Sequence, residues 1–274
     1  MLFSTFESWM VAEHRKRNFP EELLASTFAI SSWGNGIVAI FAGFLAQASS
    51  DVAGDIGPFQ LAIALTIITT FFILFWSENY GQSSGQNTSL MSDVKQAYNY
   101  IIKRPEVLCL GLSQALFEGA MYTFVFLWVP TLLTVNTGSL PTGLVFSCFM
   151  LALTIGGKLF SLLLNIFPGG AEGLSVFVYI LAACAMLIPI YSYEFWSILI
   201  GFLVFESAVG IFNSCSGTLR SKYYPDAMQS SIMSVFRLPL NLLVVGGTRL
   251  SAIASTDINV IINNIYFFEI HFKN

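Results

Sequence analysis

The chain has 274 residues, 55% of them hydrophobic and only 10% charged, with a mean hydropathy of +0.71. Soluble domains carry about 25% charged residues, so a soluble globular domain is excluded and a chain that crosses a membrane many times is expected. The formal net charge of −4 decides little, because in membranes the placement of Lys and Arg outweighs their total.

In chain order, Met1–Val11 reads as the last turns of a spanning helix and is followed by the basic cluster Arg15, Lys16 and Arg17. A secretory leader is not the reading, since the basic residues follow the apolar ones instead of preceding them. Apolar spans follow at about 23–47, 58–76, 107–133, 142–166, 174–191, 195–217 and 229–253, each near the roughly 20 residues a bilayer requires. The fold class expected is therefore all-α: seven full transmembrane helices and an N-terminal stub.

The basic residues give an orientation. Placing the cluster at 15–17 in the cytoplasm puts Lys95, Lys103, Arg104, Arg220 and Lys222 on the same side, while the loops around 48–57, 134–141 and 191–195 hold no Lys or Arg. Such a one-sided split is the positive-inside pattern. The longest inside loop opens with a Gly/Ser/Gln-rich linker and runs into DVKQAYNYIIKRP, read as a short amphipathic helix at the membrane surface. The Asn87-Thr88-Ser89 glycosylation pattern falls on the wrong side in this topology and is set aside. The expected organisation is a helix bundle over 1–80, a central linker over 81–106, a second bundle over 107–253 and a tail over 254–274. An internal echo supports it: Arg15-x-Arg17-x-x-Pro20-Glu21 recurs as Arg220-x-Lys222-x-x-Pro225-Asp226, each before a span rich in Ser and Phe. Matching topological positions fit parallel repeats.

Three charged groups sit inside apolar stretches: Glu118 in QALFEGAMY, Glu206 in LVFESAVGIF and Arg237 in SVFRLPLN. A charge at the bilayer centre costs roughly 2.5–3.5 kcal/mol on insertion scales. These groups must therefore face protein or a watery cavity, where they either help move a solute or lock helices together. Lys158, in TIGGKLF, either snorkels to the inner surface or joins such a cavity. IGGK lacks the spacing of a phosphate loop, and Trp33-Gly34-Asn35-Gly36 lacks the preceding strand of a dinucleotide fingerprint. Its glycines, with Ala39 and Gly43, read as a small-residue stripe for close helix approach. Asn35 bonds either a solute or a neighbouring helix. Cys109, Cys148, Cys184 and Cys215 are isolated and read as reduced core residues, and His14 and His271 are far apart, so no metal site is expected.

Three runs carry a resemblance to a known family: LFSTFESWMVAEHRKRNFPEELLASTFAISSWGNG, QALFEGAMYTFVFLWVP, and LRSKYYP with SVFRLPLN. Over roughly residues 2–245 the chain resembles the molybdate-anion transporter branch of the major facilitator superfamily. The resemblance implies twelve spans in two six-helix halves with alternating access, of which this chain holds the tail of the fourth and spans five to eleven. The sequence departs from that pattern after about Gly247, where Asn259, Asn263, Asn264, Glu269 and His271 interrupt the apolar run. A poorly packed tail is expected there.

For the site, the resemblance implies a central cavity in which Arg237 attracts an oxyanion through its planar fork of donors and Glu118 or Glu206 carries a coupling proton. Asn35 and Lys158 are further candidates. Arg15, Arg17, Arg220 and Lys222 are candidates for a cytoplasmic gate against Glu7, Glu78 or Asp226, the alternative being contact with lipid headgroups. The partners implied are membrane lipid and a small anionic solute, molybdate first; no cofactor and no nucleic acid is implied. Rival readings are a transporter of another anion, and a shortened product that binds partners without transporting. An integral membrane enzyme ranks last, since no nucleophile–base pair or metal cluster stands out.

Overall fold

A computed structural model describes residues 9–10, 13–14, 16–76, 90–135, 138–225, 228–229, 231–247 and 249. Among them every long element is a helix: α1 (Glu21–Ala53), α2 (Gly57–Ile73), α3 (Leu90–Lys103), α4 (Pro105–Val135), α5 (Thr142–Leu163), α6 (Ala171–Tyr191), α7 (Phe195–Tyr223) and α8 (Ser231–Gly247). A helix lies at each of the seven expected spans. Among the described residues five stretches are long and apolar enough to cross a membrane, the first being Trp33–Ile73, which holds most of α1 and all of α2. The expected tail irregularity, the linker glycosylation pattern and Met1–Glu7 lie outside the described residues.

The helices end where the backbone chemistry demands it. Helix α1 starts directly after Pro20, whose extended φ −55, ψ 134 precedes the first turn, and it stops at Gly54, whose φ of 68 suits a residue without Cβ. It outlasts its apolar stretch by about six residues, and there Gln47 donates to Asp51 at 2.9 Å. A single 3-10 turn, Gly54–Ile56, then reverses the chain: Gly57 sits so close to the Ser49 carbonyl that a Cβ would not fit. Gly169 and Gly170, both at positive φ, make the corresponding turn between α5 and α6.

Helix α7 is the axis of the fold, packing against α4, α5 and α6. Its crossing with α5 is set by glycine. A Cβ on Gly156 would strike the Ser207 carbonyl, and one on Gly210 would strike that of Leu153, so the two backbones touch as small residues allow in membranes. Aromatic rings fill the rest. Phe117 lies 4.1 Å from Phe212 between ring centroids, and Phe124 lies 4.9 Å from Phe205 and 5.1 Å from Phe202. Fully burying such side chains gives about 1.5–3 kcal/mol each in water; in lipid the gain comes from close contact instead.

The small-residue stripe of α1 seats on α5. A Cβ on Gly43 would come within 2.6 Å of the Gly143 carbonyl; Ser147 donates its hydroxyl proton to the Ile40 carbonyl at 2.9 Å, and the Gly143 amide donates to Gln47 Oε1 at 3.0 Å. Helix α3, expected as an amphipathic helix at the membrane surface, packs one face on the bundle while Val94, Tyr98 and Ile102 stay exposed. Its Ala97 and Ile101 are buried with Val107 and Leu110 of α4, Leu219 of α7, Tyr224, and Ile232 and Phe236 of α8. An amphipathic face buries equally well against protein or lipid, and here protein takes it. The cysteines are also only partly as expected: all four are unbridged, but only Cys215 is buried, while Cys109, Cys148 and Cys184 lie on exposed helix faces.

Candidate functional site

One face of α4 carries Gly111, Gln114, Ala115 and Glu118, at spacings of three, one and three residues. One face of α8 carries Met233, Phe236, Arg237 and Leu240 at the same spacings. Those intervals place four side chains on a single helical stripe, and the two stripes face each other. The end of α7 closes the third side with Arg220 and, one turn on, Tyr224. Together these residues line a cavity of about 200 Å³. Gly111 makes the approach possible, because a Cβ there would overlap the Phe236 ring.

The cavity thus holds two guanidinium groups and one carboxylate, a formal charge of +1. Glu118 and Arg220 are half-buried and Arg237 is exposed. The Glu118 carboxylate interacts electrostatically with both Arg220 and Arg237, yet among the described residues no ion pair within 4.0 Å joins it to either. The charges are near one another without being locked, which leaves the guanidinium donors open to a ligand. Tyr224, beyond the end of α7, is buried; that burial pushes its phenol up to about 12, with Arg220 opposing, so the hydroxyl stays neutral and can donate. Gln114 is 6% exposed and its Nε2 has no hydrogen-bond partner. A buried donor left unmade costs about 1–3 kcal/mol.

The expected site residues separate into those the cavity gathers and those it does not. Glu118 and Arg237 meet there. Arg220, expected at a gate, lines the same cavity. Glu206 is 5% exposed within α7, away from the cavity lining, and no hydrogen bond or ion pair is recorded for it among the described residues. Asn35 is exposed on α1 and does not line the cavity. Lys158 reaches across to α1, its Nζ 5.0 Å from the Trp33 ring centroid, a cation–π contact of about 0.5–1 kcal/mol where exposed. Arg17 donates to Glu13 Oε1 at 2.8 Å on its own segment. Lys222 pairs with Glu172, whose same oxygen accepts from the Tyr223 hydroxyl at 2.9 Å, so the end of α7 is tied to the start of α6. Arg15 lies outside the described residues, as do Glu7, Glu78 and Asp226.

Two lining residues, Gln114 and Tyr224, were not singled out by the sequence reading. Gln114 stands four residues before Glu118, so the helical period could have pointed to it; nothing in the sequence marks Tyr224. A larger depression of about 550 Å³, bounded by Cys184, Leu187, Ile188, Tyr191, Ser192, Ser197 and Ile200, lies between α6 and α7. It carries no charged group and opens widely outward, so its size alone does not make it the site. No group of His, Cys, Asp and Glu among the described residues could hold a metal ion.

Comparison with known proteins agrees with this architecture. A family described as sugar transporters with twelve transmembrane spans matches over residues 1–207. The chain is 34% identical over 254 residues to the molybdate-anion transporter of Xenopus tropicalis, covering 89% of this chain and 54% of that protein. It is 32% identical to the molybdate-anion transporter of Xenopus laevis, with the same coverage, and 29% identical over 275 residues to that of Takifugu rubripes, covering 56% of it. The chain therefore spans about half the length of these curated relatives. No solved structure matches it.

Proposed function

The chain belongs to the major facilitator family of twelve-span transporters, and from that premise we propose that it serves the uptake of a small oxyanion, molybdate before others, by alternating access at the plasma membrane. The observation that carries this reading is the cavity between α4, α7 and α8, where Arg220 and Arg237 face a single carboxylate. A neutral sugar has no use for a net positive charge in a partly enclosed cavity, whereas an oxyanion supplies the missing counter-charge and takes bidentate hydrogen bonds from a guanidinium. The names of the relatives point the same way. Glu118, which interacts electrostatically with both arginines, is the candidate for carrying a coupling proton.

Uptake of labelled molybdate into proteoliposomes containing the purified chain tests the proposal. Arg237→Lys keeps the charge and loses the planar fork, so uptake is expected to fall about tenfold or more with protein abundance unchanged, and Arg237→Gln to abolish it. Uptake unaffected by both substitutions would remove Arg237 from the site. Stronger competition by sulfate or an organic acid would move the assignment to another anion. Binding without uptake would favour a product that does not transport.

A further inference from the structure

Native proteins leave few buried polar atoms without partners, and each exception calls for an explanation. Gln114 is such an exception in this chain: it is buried, its Nε2 lacks a partner, and it lines the cavity that holds Arg220 and Arg237. Of its neighbours on the α4 stripe, Gly111 and Ala115 offer no side-chain acceptor, and Glu118, one turn on, offers a carboxylate to which the amide makes no hydrogen bond. Phe236, Met233 and Leu240 opposite are apolar. The acceptors that line the cavity, the Glu118 carboxylate and the Tyr224 hydroxyl, are therefore close by, yet the amide makes no hydrogen bond to either.

We propose that Gln114 is the amide ligand of the anion site, donating from Nε2 to one oxygen of a bound tetrahedral oxyanion while Arg220 and Arg237 hold the others. The inference rests on the oxyanion reading above and adds a residue and a role to it. A guanidinium offers only donors, an amide adds two more, and the neutral Tyr224 hydroxyl adds a fourth source. These groups come from α4, α8 and the end of α7, so they converge from three directions. That arrangement suits a ligand whose oxygens point to the corners of a tetrahedron. The anion supplies the acceptor that the protein does not give the amide.

The test is Gln114→Met, which keeps the length and unbranched shape and removes the amide. It is read by melting temperature and by equilibrium binding of sodium molybdate to the purified full chain in detergent. The unliganded variant is expected to melt at or above the wild-type temperature, because an orphaned amide has been removed, while molybdate affinity falls about tenfold. Wild-type affinity in the variant would overturn the proposal. So would a lower melting temperature accompanying the loss, since that marks a structural amide. Should the variant not fold, Gln114→Asn replaces it: the amide sits one methylene short, and undiminished affinity contradicts the role. Wild-type chain that binds no oxyanion sinks the anion reading itself. Binding that Arg237→Gln weakens and Gln114→Met leaves intact sinks only this inference.

Discussion

Helix α7 and the α1–α2 pair are nearly equal in mean hydropathy, yet 56% of the apolar window of α7 is buried inside the protein against 6% of the window over Trp33–Ile73. The chain spans about half the length of the relatives it matches, so the comparison concerns contacts made within it, and these differ in the faces they use. Helix α7 presents small residues and rings on several sides: Gly210 against α5, Gly201 against Ile188 of α6, and Phe205 and Phe212 against Phe117 of α4. Helix α1 meets α5 along one such side, the stripe through Gly36 and Gly43 that touches Thr154, Gly143 and Ser147, while Val38 and Phe41 are exposed. In lipid, apolarity permits a helix to enter the membrane and close steric fit decides what it touches. Hydropathy alone therefore identifies a span without identifying a core.

The comparison breaks most easily at glycine. Gly210→Leu places a branched side chain where the Leu153 carbonyl already sits, and overpacking of this kind costs about 1–3 kcal/mol or more. Backbone atoms of both Leu153 and Gly157 crowd the added Cβ, so Gly210→Leu exceeds that range, and loss of folded protein by size-exclusion chromatography is the expected outcome. Next comes truncation of a ring. Phe212→Ala removes a fully buried side chain from the α4–α7 contact and is expected to cost about 3–5 kcal/mol, seen as a large fall in melting temperature in detergent. The matching change on the outward side, Ile63→Ala in α2, should stay within about 0.5 kcal/mol. Smallest is Gly34→Ala: nothing lies within 4 Å of the added methyl, and helix propensity favours Ala by up to about 1 kcal/mol, so the melting temperature should hold or rise slightly. A Gly34 variant as damaging as Gly210→Leu would erase the distinction between the two regions.

How much was legible follows from the same physics. The helix positions were readable because an unsatisfied backbone is so costly in lipid that apolar length and helix nearly coincide. Glu118 and Arg237 were readable as anomalies for the same reason, and they do share a cavity. Glu206 was an equal anomaly in sequence, but which face of α7 it occupies depends on packing that no local pattern encodes. Arg220 looked like a topology signal because it ends a span beside Lys222; the packing of α7 on α4 that brings it into one cavity with Glu118 is a tertiary feature. Gln114 passed unnoticed since an amide among apolar residues is a weaker irregularity than a charge. For α3, the amphipathic pattern is the same whether lipid or a bundle covers it, and only Ala97 and Ile101 against Leu219 and Phe236 decide the matter.

The central claim is that Arg220 and Arg237 form one anion site in a cavity they share with Glu118. Equilibrium titration of the purified chain with molybdate and, separately, with a neutral hexose tests it most directly. The account predicts that molybdate binds and the hexose does not, and that Arg220→Gln and Arg237→Gln each weaken molybdate about tenfold or more in protein that remains folded. Hexose binding without molybdate binding, or molybdate binding that neither arginine affects, would contradict it.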